Sequence, residues 1–154
     1  MELNKTKKLG AILEIILRIG LIIGIIFLMC YYSLLEMLDI EVNLFLLMVY
    51  PCGLSFLGLV NQFIGMFGLL KINNPFSKET ITYLRKGMYI SFIISFLVAI
   101  SLSILIINNL YVLAVKLCIG FICVLFFGVG IALYLLKELF KEALQYKEEN
   151  ELTI

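Results

Sequence analysis

Glu14 and Arg18 stand one helical turn apart inside the run GAILEIILRIGLIIGIIFLMCYYS, and Asn61 and Gln62 are adjacent within LGLVNQFIGMFG. With the acid four residues before the base, the first pair has the favourable order for an ion pair along one helix. In apolar surroundings such groups serve an ion path, a ligand pocket or a switch, or act as structural glue that fixes helix register. Reaction chemistry has less material. The chain has no His, no pair of carboxylates at one depth, and no base beside any Ser or Cys that would make it a nucleophile. Cys30, Cys52, Cys118 and Cys123 form no CxxC pair, so a zinc site of the usual Cys/His type is not built. The expectation is a non-enzymatic protein without cofactor or metal. Its cysteines read as small buried apolar residues. Cys30 and Cys118 fall near one membrane face, which makes a disulfide conceivable without supporting it.

The elements that hold these groups follow from composition. The chain has 154 residues, 63% of them hydrophobic and 15% charged, and a mean hydropathy of +1.11. A soluble domain has about 45–50% apolar and about 25% charged residues, and folded surfaces in water need polar cover. The bilayer is therefore the expected solvent, with one domain over residues 1–154. Four continuous apolar runs reach the roughly 20 residues a membrane-crossing helix needs: 10–33, 44–70, 88–107 and 111–136, followed by a polar tail over 137–154. Their continuity excludes barrel strands, which alternate in about ten-residue pieces. The first run is too long for a signal-peptide core and reads as a retained anchor helix. The expected fold is all-α: an integral membrane four-helix bundle.

Loop charge sets the expected orientation. Residues 1–9 carry Lys5, Lys7 and Lys8 against Glu2, whereas residues 34–43 carry Glu36, Asp39 and Glu41 with no base. Residues 71–87 carry Lys71, Lys78, Arg85 and Lys86 against Glu79. The bases lie inside, so both termini are expected in the cytoplasm of a multi-pass plasma-membrane protein. The short connection NNL at 108–110 demands a tight antiparallel hairpin. Counted from the span midpoints, Arg18 and Asn61 lie on the order of 5 Å toward the cytoplasm. Groups at that depth normally face the bundle interior, so Glu14, Arg18, Asn61 and Gln62 are expected to form one interior polar cluster.

Small residues mark packing surfaces. Ser91, Ser95, Ala99 and Ser103 recur every four residues, and Gly20/Gly24 and Gly128/Ala132 repeat the device. They serve packing within the bundle, a homo-oligomer or another membrane protein. Pro51 and Gly53 predict a kink in the outer half of the second helix, and Lys116 can snorkel to the headgroups. In INNPFSKETITYLRKG, Asn73, Asn74 and Pro75 make a turn, Ser77 is an N-cap and Glu79 suits the first turn. The third helix then starts about three turns before lipid, with Arg85 and Lys86 at the interface beside anionic headgroups. Leu136, Leu139, Phe140, Ala143 and Leu144 continue a helical stripe into the tail, so the fourth helix projects beyond lipid or lies along it.

Two of these stretches carry a resemblance. NPFSKETITYLRKG resembles the cytoplasmic motif of the bacterial membrane proteins grouped as domain of unknown function 2975, and LFKEALQYKEENELTI resembles that family's ending. The resemblance implies a four-helix membrane protein with no catalytic residues to carry over, of a kind often found beside small helix-turn-helix regulators. The reading it favours is an accessory protein, sensor or anchor. Its cytoplasmic docking surface would be Pro75, Phe76, Ser77, Leu84, Arg85, Glu149, Asn150, Glu151, Leu152 and Thr153. That surface would bind a soluble regulator protein, with no direct contact to nucleic acid expected. The alternative is a small transporter, channel or immunity-type membrane protein that uses the intramembrane polar cluster.

Overall fold

The structure, a computed structural model, describes residues 2–37, 48–71, 76–109, 111 and 113–152. Within them the elements are helices: α1 (Glu2–Met37), α2 (Val49–Lys71), α3 (Lys78–Ile107) and α4 (Leu113–Leu152). All four are long and apolar enough to cross a membrane. Their outward faces carry large apolar side chains that are more than half exposed, among them Ile16, Ile23, Phe96, Leu117, Phe121 and Val124. In water such a surface would drive aggregation; in hydrocarbon it is the solvated side, while the helices satisfy their own backbone groups. The chain is a multi-pass integral membrane protein.

Helix α4 has 40 residues, about 60 Å at ~1.5 Å per residue, against a hydrocarbon core of about 30 Å. It therefore continues well past the membrane, and the expected tail is the unbroken end of this helix. Ser77 starts α3 with extended dihedrals (φ −136°, ψ 158°), and its hydroxyl accepts the Thr80 N–H at 3.2 Å. Glu79 sits in the first turn, where the helix dipole favours an acid. At the other end of α3 the Asn108 backbone and side-chain amides both donate to the Ile104 carbonyl, at 3.1 and 2.9 Å. The chain then reverses through Asn109 at φ 48°, a left-handed conformation that Asn tolerates better than most residues. Lys116 of α4 donates to the Asn109 side chain at 3.4 Å, pinning the expected hairpin.

Packing runs between sequence neighbours: α1 on α2, α2 on α3, α3 on α4. Among the described residues α1 makes no close backbone approach to α3 or α4. The core joins Leu59 of α2, Leu84, Met88, Ile94 and Val98 of α3, and Leu133 of α4. Helix α1 attaches separately, through Leu28, Tyr31 and Leu35. There the Tyr50 hydroxyl donates to the Leu28 carbonyl at 2.9 Å, and the Tyr31 and Tyr50 rings meet edge to face.

Several packing expectations are corrected. On α3 the buried stripe runs Leu84, Met88, Ser91, Ser95, Val98, Ser101, Leu105, and Ser103 is exposed, bonded back to the Ala99 carbonyl. A strict four-residue spacing drifts about 40° per step on a 3.6-residue helix, so Ser103 has rotated off the face that Ser91 occupies. Ser95 is central: its hydroxyl donates to the Cys123 carbonyl at 3.1 Å and the Cys123 thiol donates back to the Ser95 carbonyl at 3.4 Å. On α4 the close approach falls at Gly130, where an added Cβ would lie 2.8 Å from the Phe92 ring, whereas Gly128 and Ala132 face outward. Pro51 lies in the first turn of α2 as described. A proline's missing N–H costs nothing there, so no kink is needed. Residues 44–47 of the expected second span lie outside the described residues. Cys30 and Cys118 are exposed on their helices, not buried.

Glycine is required where α1 meets α2. A Cβ at Gly53 would lie 2.6 Å from Leu28, and one at Gly24 would lie 2.7 Å from Leu57. Gly53→Leu should therefore part these helices and cost about 1–3 kcal/mol by overpacking. Thermal unfolding in detergent should show a lowered midpoint, while Gly128→Leu, which has open space around it, should leave the midpoint unchanged.

Candidate functional site

Among the described residues, polar groups gather in two places. The first is a groove of about 390 Å³ beside the Glu14–Arg18 pair, lined by Arg18 and Ile22 of α1, Asn61 and Ile64 of α2, and Tyr83 of α3. Arg18 donates through Nε and Nη2 to the same Glu14 oxygen, at 3.0 and 2.8 Å. The Glu14 side chain is 13% exposed and that of Arg18 61% exposed. Tyr83 crosses from α3 because Gly65 has no side chain: a Cβ there would lie 2.5 Å from the ring.

This arrangement differs from an interior cluster of four residues. Arg18 and Asn61 do share one groove, but the groove lies at the margin of α1. Gln62 belongs to a different face. Its amide approaches the Gly58 carbonyl at 3.5 Å and it lines a small cleft with Leu84, Gly87 and Leu133. Adjacent residues on a helix point about 100° apart, so Asn61 and Gln62 cannot both enter one groove. On the other side of α1 an apolar cavity of about 580 Å³ lies where α1 and α4 fail to meet, bounded by Gly24, Phe56, Val98 and Phe126. Ser101 on its wall is already satisfied by the Leu97 carbonyl at 2.9 Å.

The second place is the end of the bundle that bears the α2–α3 connection. Phe76 stacks on Phe140 with ring centroids 5.1 Å apart, and Lys78 pairs with Glu148 at 3.5 Å. The segment before α3 and the far end of α4 thus form one surface. Arg85 and Lys86 of α3 are exposed, as are Leu139 and Tyr146 of α4, at 60% and 69%. Where α4 leaves the apolar stretch, the Lys137 ammonium lies 4.5 Å from the Tyr134 ring centroid. Its hydrogen bond to Glu138 holds that carboxyl below the usual range. Glu149 and Asn150 make contacts of their own, and Glu151 and Leu152 close the helix. Pro75 and Thr153 lie outside the described residues. Leu84 is corrected: at 2% exposure it belongs to the core and is not available to a partner. No group of His, Cys, Asp and Glu among the described residues is arranged to hold a metal.

The family described as protein of unknown function DUF2975 matches residues 2–154. The chain belongs to the DUF2975 family. No curated protein and no solved structure matches it.

In this DUF2975 chain two groups of the surfaces just described were not evident in the sequence. Tyr83 carries no local signal for its place in the polar groove, since only the packing of α3 across Gly65 puts it there. The Phe76–Phe140 and Lys78–Glu148 contacts join residues on separate helices. The Glu14–Arg18 pair yields a direct expectation. Removing one partner of an ion pair in a low-dielectric setting costs more than removing both. Arg18→Leu should therefore lower the amount of folded protein recovered from membranes more than Glu14→Leu/Arg18→Leu does, measured by size-exclusion recovery in detergent.

Proposed function

We propose that this DUF2975 protein is a non-enzymatic accessory membrane protein, an anchor or sensor, that docks a soluble regulator on the surface formed by the start of α3 and the end of α4. The observation that carries the reading is the joining of these two segments by the Phe76–Phe140 stack and the Lys78–Glu148 pair. A membrane protein whose helices only filled lipid would have no use for about four turns of helix beyond it. Here that extension is braced against a second segment, and Arg85 of α3 and Leu139 and Tyr146 of α4 are exposed. Mixed surfaces of this kind, with aromatic and Arg side chains, suit protein recognition. The resemblance of NPFSKETITYLRKG and LFKEALQYKEENELTI to their family counterparts supports a small helix-turn-helix regulator as the partner.

In this reading both termini and the docking surface face the cytoplasm of the plasma membrane. The support is the excess of Lys and Arg over acids in residues 1–9 and 71–87, against the purely acidic 34–43. A cytoplasm-only reporter fused at either end should be active; an inactive reporter at both ends would reverse the orientation and remove the docking surface from the regulator's compartment. Docking itself is tested by solubilising the full chain, the chain lacking residues 146–154, and Phe76→Ala. Each is measured for retention of small helix-turn-helix proteins from the cytoplasm of the same cells. The expected result is binding by the full chain and its loss in both variants. Equal binding, or none by the full chain, would sink the reading.

A further inference from the structure

Glu14 satisfies only part of Arg18. The arginine lies near the middle of Lys7–Tyr31, the part of α1 long and apolar enough to cross the membrane, and its side chain is 61% exposed. Hydrocarbon solvates a guanidinium poorly, so at that depth the group needs polar company. Arg has five N–H donors and gives two of them, through Nε and Nη2, to one Glu14 oxygen. Three remain. Arg18 lines the groove of about 390 Å³ with Asn61 and Tyr83, whose side chains make no hydrogen bond among the described residues. No acid lines the groove, and the Glu14 side chain is largely covered. The rest of the wall is apolar, formed by Leu21, Ile22, Ile64 and Gly65, and Ile22 is exposed.

We propose that this groove holds one anionic phospholipid, its phosphate on Arg18, Asn61 and Tyr83 and an acyl chain along Leu21, Ile22 and Ile64. Charge complementarity selects the head. The groove offers unused guanidinium N–H groups, an amide and a phenol from three helices, and its lining holds no carboxylate. The fork of a guanidinium meets a phosphate through two parallel N–H bonds. The apolar wall selects the tail, since a lining with both characters fits an amphiphile and not a free inorganic anion. Depth agrees with this. Arg18 bonds to Glu14 one turn nearer the α1 N-terminus, so its charge is carried about 6 Å in that direction. The pairings of Leu28 with Gly53, Gly24 with Leu57 and Arg18 with Asn61 run antiparallel. That direction therefore leads to the end of the bundle where α2 hands over to α3, and Tyr83 stands there in the second turn of α3. Basic pockets between spanning helices seat acidic headgroups in this way. The groove is separate from the docking surface, and the proposal stands or falls independently of it.

The test counts bound lipid by native mass spectrometry of the full chain, purified and delipidated in mild detergent. Phosphatidylglycerol, phosphatidylcholine and inorganic phosphate are added back separately. The native chain should retain one phosphatidylglycerol, several-fold more often than phosphatidylcholine, and no inorganic phosphate. Asn61→Leu/Tyr83→Phe should lower phosphatidylglycerol retention several-fold. That variant leaves the Glu14–Arg18 pair intact and keeps the aromatic ring over Gly65. Lys141→Gln removes an exposed cation of α4 and should retain as much lipid as the native chain. The proposal is overturned by equal retention of the two lipids, by inorganic phosphate bound in place of lipid, or by undiminished retention in the double variant. It is also overturned by equal loss in Lys141→Gln, or by a second copy or another protein bound with no lipid. If the double variant fails to fold, Tyr83→Phe alone, with the lipid comparison in the native chain, decides.

Discussion

No water reaches a peptide group inside a bilayer, so each backbone N–H and C=O must find its partner within the protein. The rest of this molecule follows from that constraint. It makes the four apolar runs helices, and it leaves side chains, not backbone, to join them. Between lipid-immersed helices the hydrophobic effect offers little, because the acyl chains are as apolar as Leu. Association rests on close packing and on a few well-placed polar contacts. The chain uses both. Gly24 and Gly53 let Leu57 and Leu28 approach the facing backbone, and the Ser95–Cys123 exchange ties α3 to α4.

Helix α3 is the hub. Its buried stripe contributes most of the core, and its last residues start the reversal toward α4. Extending α3 beyond lipid brings Phe76 and Lys78 to Phe140 and Glu148 of α4. Tyr83, on the same extension, reaches across Gly65 toward Arg18. One helix thus shapes both the outer platform and the intramembrane groove. Helix α1 is the loosely attached member, held by Leu28, Tyr31, Leu35 and the Tyr50 hydroxyl. Cavities lie on either side of it.

How far the sequence could be read depended on the range of the interaction. The Ser77 cap, the Glu14–Arg18 pair and the hairpin after Ile107 all act within a few residues, and each occurs where its local pattern places it. The expected faces were less secure. Ser103 and Gln62 lie on other faces because small angular steps accumulate along a helix. Leu84 was expected on a docking surface beside Arg85, and its neighbours in space make it core. A residue's face is a property of the helix, but what that face meets is not.

The sequence by itself determined the helical, membrane-spanning character of the chain, the ends of α3 and the acid–base pair of α1. These are local or compositional properties, and the bilayer reads them segment by segment. Only the tertiary structure decided that α1 packs on α2, that Asn61 and Tyr83 meet beside Arg18, and that the start of α3 is braced against the end of α4. Those outcomes depend on which small residues permit close approach between helices distant in sequence. That is set by the simultaneous fit of all four, which no single segment encodes.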